Sequence, residues 1–184
     1  MIYRASLLLR IRHWLAGQMM MRLVALVGTA AFLTDWATKS WALGTLKDKT
    51  AALGSLVLGL ESNLAFAFSS GADSVSPHLV LGARLGAVLA IGIVFGRLFV
   101  RDRRTAVGVG LILGGGLGNA VDLAFRGGVV DFIGAGHFYF NIADVVILIG
   151  IGLLAPIIRF YALAVQRRIM QWETRWTRDR RLDT

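Results

Sequence analysis

Four stretches of this chain, residues 20–43, 78–100, 105–124 and 140–161, are apolar over the length needed to cross a bilayer. A helix rises ~1.5 Å per residue, so about 20 residues cover the ~30 Å hydrocarbon layer. Inside that layer no water is available to backbone N–H and C=O groups, so a crossing segment must satisfy them within itself, as a helix does. The whole chain has 184 residues and is 56% hydrophobic, outside the range of ordinary soluble domains. The sequence therefore predicts an all-α polytopic membrane protein with four transmembrane helices, forming one membrane domain over residues 1–184.

The formal net charge is +9, and where the charge lies decides what it means. Arg4, Arg10 and Arg12 sit in a lead-in over residues 1–19, Arg101, Arg103 and Arg104 in a tight turn, and six Arg in a tail over residues 164–184. Basic residues beside apolar spans mark the cytoplasmic side rather than a nucleic-acid face. Four spans place the lead-in, the turn and the tail together, so both termini are expected in the cytoplasm. Residues 44–76 and 125–140 then face outward. The lead-in reads as an interfacial segment and not as a cleaved leader, because no small-residue cleavage site follows and the apolar run continues toward Trp41. Cysteine is absent, which excludes disulfides and thiol chemistry. His13, His78 and His137 are isolated, so neither a metal nor another cofactor is expected.

Residues 44–76 have a different texture. Lys47, Asp48 and Lys49 make a polar turn, and 51–60 is short, apolar and punctuated by Gly. From Glu61 to Ser69, Leu64, Phe66 and Phe68 alternate with small residues, a period-two pattern that predicts strand. A small extracytoplasmic β-platform is expected here. Residues 129–133 read as a second extended piece that aims Asp131 inward.

Polar residues inside such a chain are costly and mark function. Asp122, Asp131 and Asp144 cluster in sequence, and Asn119 and Asn141 each precede one of them by three positions. Residues i and i+3 share a helix face, so each amide can sit beside its carboxylate. Asp35 and Lys39 stand at i and i+4 near the end of the first span, as a helix-end ion pair or as part of the site. Gly110, Gly114 and Gly118 repeat every fourth residue, which lets another helix approach closely. Two carboxylates sharing a site hold one proton between them and titrate as a unit. Such a pair suits metal-free hydrolysis by aspartic-protease logic, and it suits a proton relay equally well.

The motifs resemble those of the bacterial lipoprotein signal peptidases (signal peptidase II) over residues 20–163. Thr34-Asp-Trp-Ala-Thr-Lys39, Asn63-Leu-Ala-Phe-Ala-Phe68, Gly118-Asn-Ala-Val-Asp122 with Gly128-Val-Val-Asp-Phe-Ile133, and Phe140-Asn-Ile-Ala-Asp144 occur in that order. The resemblance implies a four-span aspartic endopeptidase of the bacterial inner membrane. Its substrates would be diacylglyceryl-modified prolipoproteins, cut just before the lipidated Cys, and globomycin-type peptides would inhibit it. Asp131 and Asp144 fall on the catalytic pair. Asn63, Asn119, Asp122, Asn141, Asp35 and Lys39 fall on positions that bind substrate or brace the site. Membrane lipids are the surroundings, and a monomer is expected. The chain departs from the pattern at Leu123, where the family has Arg after the Asp, and at Ala65, where it has Gly. Arg84, well inside the second span, is the candidate to supply the lost charge.

Overall fold

The computed structural model describes residues 2–47, 49–63, 77–98 and 102–182, with side chains for 14–47, 49–62, most of 79–95, and 102–173. The elements follow as α1 Ile2–Thr45, β1 Ala51–Leu53, β2 Leu56–Asn63, α2 Pro77–Leu98, α3 Arg103–Arg126, β3 Val129–Ala135, β4 Phe138–Phe140 and α4 Ile142–Leu182. Among the described residues, three helices carry stretches long and apolar enough to cross a membrane: Trp14–Thr45, Arg103–Arg126 and Ile142–Glu173. The described apolar run in α2, Leu81–Phe95, is shorter.

Two boundaries differ from the sequence reading. The lead-in and the first span are one helix, and α4 runs from the last span into the basic tail. The physical reason is that a bilayer limits how much of a helix is immersed, not how far the helix continues. Only Gly17 interrupts the helix formers between the lead-in and the span, and one Gly in a helix costs about 1 kcal/mol. Phe140 belongs to β4, so the last helix starts at Ile142.

α3 packs against each of the other three helices, and its glycines make that possible. A Cβ at Gly110 would stand 2.8 Å from the Val24 carbonyl oxygen, and one at Gly114 would run into the Gly28 carbonyl, so α1 and α3 touch through their backbones. A Cβ at Gly115 would stand 2.7 Å from the Ala143 oxygen, which brings α4 equally close on another face. Association within lipid depends on van der Waals fit, which small residues permit. Asp102 caps the start of α3: its Oδ1 accepts from Thr105 N at 3.0 Å and its Oδ2 from Thr105 Oγ1 at 2.7 Å.

The sheet is antiparallel in the order β1-β2-β3-β4. Half of it comes from residues 129–140, where the sequence reading placed one short extended piece. Both hairpins turn on two residues that begin with Gly, Gly54-Ser55 and Gly136-His137, each Gly at φ 64°. Two-residue hairpin turns need positive φ, which Gly adopts without strain. The alternating residues Leu64, Phe66 and Phe68 lie outside the described residues. Phe132 of β3 packs with Ala42 of α1 and Leu46 just beyond its end, fixing the sheet to that helix end. A separate cluster of Met20, Val24, Ala106, Val109, Ile112 and Leu154 fills the other half of the bundle. Along α1, the polar residues Asp35 and Lys39 fall between these two clusters.

Candidate active site

The ends of α1 and α3, the start of α4, and strand β3 converge on one buried polar network. Lys39 is its hub, only 1% exposed. Its Nζ lies 2.7 Å from Asp35 Oδ2 and 2.8 Å from Asp122 Oδ2, and it donates to Asn119 Oδ1 at 2.9 Å. The Asp35 contact is an ion pair and not an aligned hydrogen bond. Asp35 Oδ1 accepts from the Ala143 N–H at 2.9 Å, on the first turn of α4. A carboxylate at a helix N-terminus is favoured by the unpaired N–H groups and the dipole there. Asp35 and Lys39 thus join the buried network that also holds Asn119 and Asp122, beyond their own i,i+4 pair.

Asp122 is 1% exposed and held on three sides. Lys39 meets Oδ2, the Val130 N–H donates to Oδ2 at 3.3 Å, and Arg126 pairs with Oδ1. Val130 is the residue before Asp131, so this bond ties the end of α3 to the strand that carries the next acid. Gly127, at φ 75°, ends α3 and lets the chain turn into β3. Arg126 lies one turn beyond Asp122 at i+4, and its guanidinium carbon stands 5.0 Å from the centre of the Trp36 ring. Arg126 therefore sets a cation beside Asp122 although Leu123 is apolar. Leu123 itself is buried. The Arg84 side chain, proposed from sequence for that role, lies outside the described residues. The i,i+4 spacing of Asp122 and Arg126 is the signal that identifies the pair in the sequence.

Asp131 arrives on β3, 4% exposed, as the inward-aimed strand predicts. Alternation sends Asp131 and Phe132 to opposite faces, one toward the polar network and the other into the cluster with α1. The β2–β3 register shifts between Leu58 and Glu61, next to Asp131, and Glu61 stands opposite Asp131. Bulges of this kind re-aim side chains beside sites. Asn63 pairs with Val129 at the end of β2, and its side chain lies outside the described residues.

Asn141 and Asp144 form a reciprocal cap on α4. The Asp144 N–H donates to Asn141 Oδ1 at 3.1 Å, and the Asn141 N–H donates to Asp144 Oδ2 at 3.2 Å. This is the geometry of a capping box, with the acid three residues after the cap. The pair at Asn119 and Asp122 works differently: Lys39 Nζ stands between them and binds both.

The two amides then interlock. Asn119 Nδ2 donates to Asp144 Oδ1 at 2.9 Å. Asn141 Nδ2 donates to Asp131 Oδ1 at 2.6 Å and reaches Asn119 Oδ1 at 3.2 Å and the Val130 carbonyl at 3.3 Å. Asp131 and Asp144, from different elements, are thus oriented by one pair of buried amides. Asp144 borders a cleft of about 340 Å³, lined otherwise by Phe138, Tyr139, Phe140, Val145, Ile147 and Leu148. Among the described residues no group of three or more His, Cys, Asp or Glu is arranged to hold a metal ion.

Gly118 lies on α3 where a Cβ would run into the Asp35 carboxylate. Gly118→Ala is expected to destabilise the protein by about 1–3 kcal/mol, the usual cost of overpacking. Gly152→Ala is the control: a Cβ there meets nothing within 4 Å, and Ala gains about 0.5–1 kcal/mol over Gly in a helix. Thermal unfolding in detergent should move in opposite directions for the two. Equal shifts would mean that the Asp35 contact carries no weight.

Comparison with known proteins places the chain. The family model described as signal peptidase (SPase) II matches residues 27–160, a segment that contains every acid of the network. A lipoprotein signal peptidase of Rhodopseudomonas palustris is 32% identical over 148 residues, covering 72% of this chain and 89% of that protein. One from Xylella fastidiosa is 34% identical over 143 residues, covering 71% and 86%. The fold is similar to a solved bacterial membrane enzyme with a TM-score of 0.65 at 24% identity, covering 74% of this chain and 87% of that one. With the match spanning α1 from Val27, the whole of α2, α3 and the sheet, and α4 as far as Phe160, this chain belongs to the signal peptidase II family and is a multi-pass membrane protease.

Proposed function

We propose that the chain is an aspartic endopeptidase that removes the signal peptide from diacylglyceryl-modified prolipoproteins, cutting before the lipidated Cys. The observation that carries this reading is the pair Asp131 and Asp144, drawn from β3 and α4 and oriented by the interlocked amides of Asn119 and Asn141. The two carboxyls share one proton. The ionised member takes a proton from the attacking water as its oxygen bonds to the scissile carbonyl carbon. The protonated member then donates to the leaving nitrogen as the C–N bond breaks. Burial of Asp131 and partial exposure of Asp144 at the cleft give the pair one protected and one accessible side. The aromatic and aliphatic walls of that cleft suit an apolar substrate segment.

The protein works as a monomer in the bacterial inner membrane, with four spans and both termini in the cytoplasm. The reading is supported by the Arg of the lead-in, the 101–104 turn and the tail, which four spans bring to one side. The site, at the opposite ends of the helices, then opens outward with the sheet. In intact cells, Lys49→Cys should react with an impermeant maleimide and Gln166→Cys should not; the reverse pattern overturns the orientation.

The deciding experiment incubates purified protein with a synthetic lipidated prolipoprotein and with its unlipidated counterpart. Cleavage before the modified Cys of the lipidated form alone, blocked by globomycin, is the expected result. Cleavage of neither form, by protein whose unfolding transition is intact, overturns the proposal.

A further inference from the structure

α4 is longer than a membrane is thick. Counting from Ile142 at the site end, about 20 residues cross the hydrocarbon layer, so the helix emerges on the far side near residue 163. It continues to Leu182. The last turn of the span and the emerging part are not polar all round. At 100° per residue, Ile158, Val165, Ile169 and Trp172 fall on one stripe, and they are 49, 56, 54 and 63% exposed. Arg159 and Arg168 flank the stripe on its two sides. Beside its beginning runs an open apolar groove of about 620 Å³ between Phe95 of α2 and the α4 residues Ile158, Tyr161, Val165 and Ile169.

Such a stripe needs a cover, and the page favours lipid. The stripe continues the exposed apolar surface of α4 within its span, where Leu148 and Ile151 are 68 and 48% exposed. Arg159 and Arg168 border it on its two sides, Gln166 and Glu173 also lie on the Arg159 side, and four more Arg follow at 175, 178, 180 and 181, which leaves the segment net cationic. An apolar face bordered by Arg is the construction of a helix that lies in an anionic headgroup layer. Pro156, inside α4, lacks the N–H that would hold the preceding turn, and gives the helix a place to bend.

We propose that residues 163–173 of α4 form a membrane-surface arm on the side opposite the site. Acyl chains fill the groove and cover the stripe, and Arg159 and Arg168 engage the headgroups of anionic phospholipids. The arm depends on the chain being a membrane protein and not on which reaction it catalyses.

The chain has no cysteine, so single labels are straightforward. Nitroxides at Ile169→Cys, on the stripe, and Gln171→Cys, 200° around the helix, are placed on the full-length protein in nanodiscs. Discs of phosphatidylcholine are compared with discs that also contain phosphatidylglycerol. In the anionic discs, the ratio of oxygen to water-soluble nickel-chelate accessibility at 169 should be at least about fivefold that at 171. The contrast should shrink in plain phosphatidylcholine, at high salt, and in R159Q/R168Q. Equal chelate accessibility at both sites in anionic discs overturns the arm. Shielding at 169 that ignores lipid charge and comes with spin–spin broadening also overturns it, and makes the stripe an interface between copies of the chain.

Discussion

Asp131→Asn and Asp144→Asn should each reduce cleavage of a lipidated prolipoprotein by about 10³-fold or more, while leaving the fold in place. Asparagine is the informative substitution because of what each carboxylate accepts. Asp131 Oδ1 takes a hydrogen bond from Asn141 Nδ2, and an amide oxygen at that position still accepts it. Asp144 accepts from Asn119 Nδ2 through Oδ1 and from the Asn141 N–H through Oδ2. One amide oxygen can keep the reciprocal bond from the Asn141 N–H, whereas Asp144→Ala loses both accepted bonds and leaves only the Asn141 side of the capping box. What the amide cannot do is titrate, and a shared-proton mechanism fails when one member is fixed neutral. General acid–base catalysis accounts for about 10²–10⁴-fold, and in the proposed mechanism both roles pass through this pair. Single-turnover cleavage, with thermal unfolding as the control for folding, checks the result. A variant that unfolds normally and retains more than a tenth of the rate removes that residue from the catalytic pair, and Asp122 becomes the next acid to test.

The parts of this site that were legible in the sequence are those set by local spacing. The span over 105–124 corresponds closely to α3, because helical apolar length and the Gly repeat are local quantities. Asp131 was readable as inward-facing from the extended pattern of 129–133. The cap made by Asn141 and Asp144 follows from i,i+3 spacing at a helix start. What sequence could not show depends on long-range contact. Lys39 has a sufficient local partner in Asp35, and nothing in its neighbourhood reveals Asn119, 80 residues away, or Asp122. The pairing of β2 with β3 is also distant in the chain, so 129–133 was legible as an extended piece but its partner and β4 were not. Arg126 is the opposite case. Its i+4 relation to Asp122 is plain in the sequence.

Lys39→Met is expected to be among the most destabilising single substitutions in the chain, at about 3–5 kcal/mol, the cost of removing one partner from a buried ionic group. Methionine keeps the length of the side chain and its apolar stem, so the effect isolates the ammonium. The accounting of charge is simple. Asp35 and Asp122 carry two negative charges, and Lys39 and Arg126 carry two positive ones. Without Lys39, Asp35 retains the Ala143 N–H and no cation among its described partners, at 1% exposure. Lys39→Arg should restore little. Lysine's three donors radiate from one atom toward three oxygens within 2.9 Å, and a planar guanidinium on a longer stem cannot occupy that point. The double variant Lys39→Met/Asp35→Asn should recover part of the stability, because it removes the carboxylate left uncompensated beside α4. The same ammonium polarises Asn119, whose carbonyl receives Lys39 and whose amide donates to Asp144. Chained hydrogen bonds strengthen one another, so the double variant should regain stability without regaining full activity. Chemical denaturation and single-turnover cleavage on the same preparations separate the two effects. A Lys39→Met protein as stable as the parent would show that the buried cation is not what holds α1, α3 and α4 around the site.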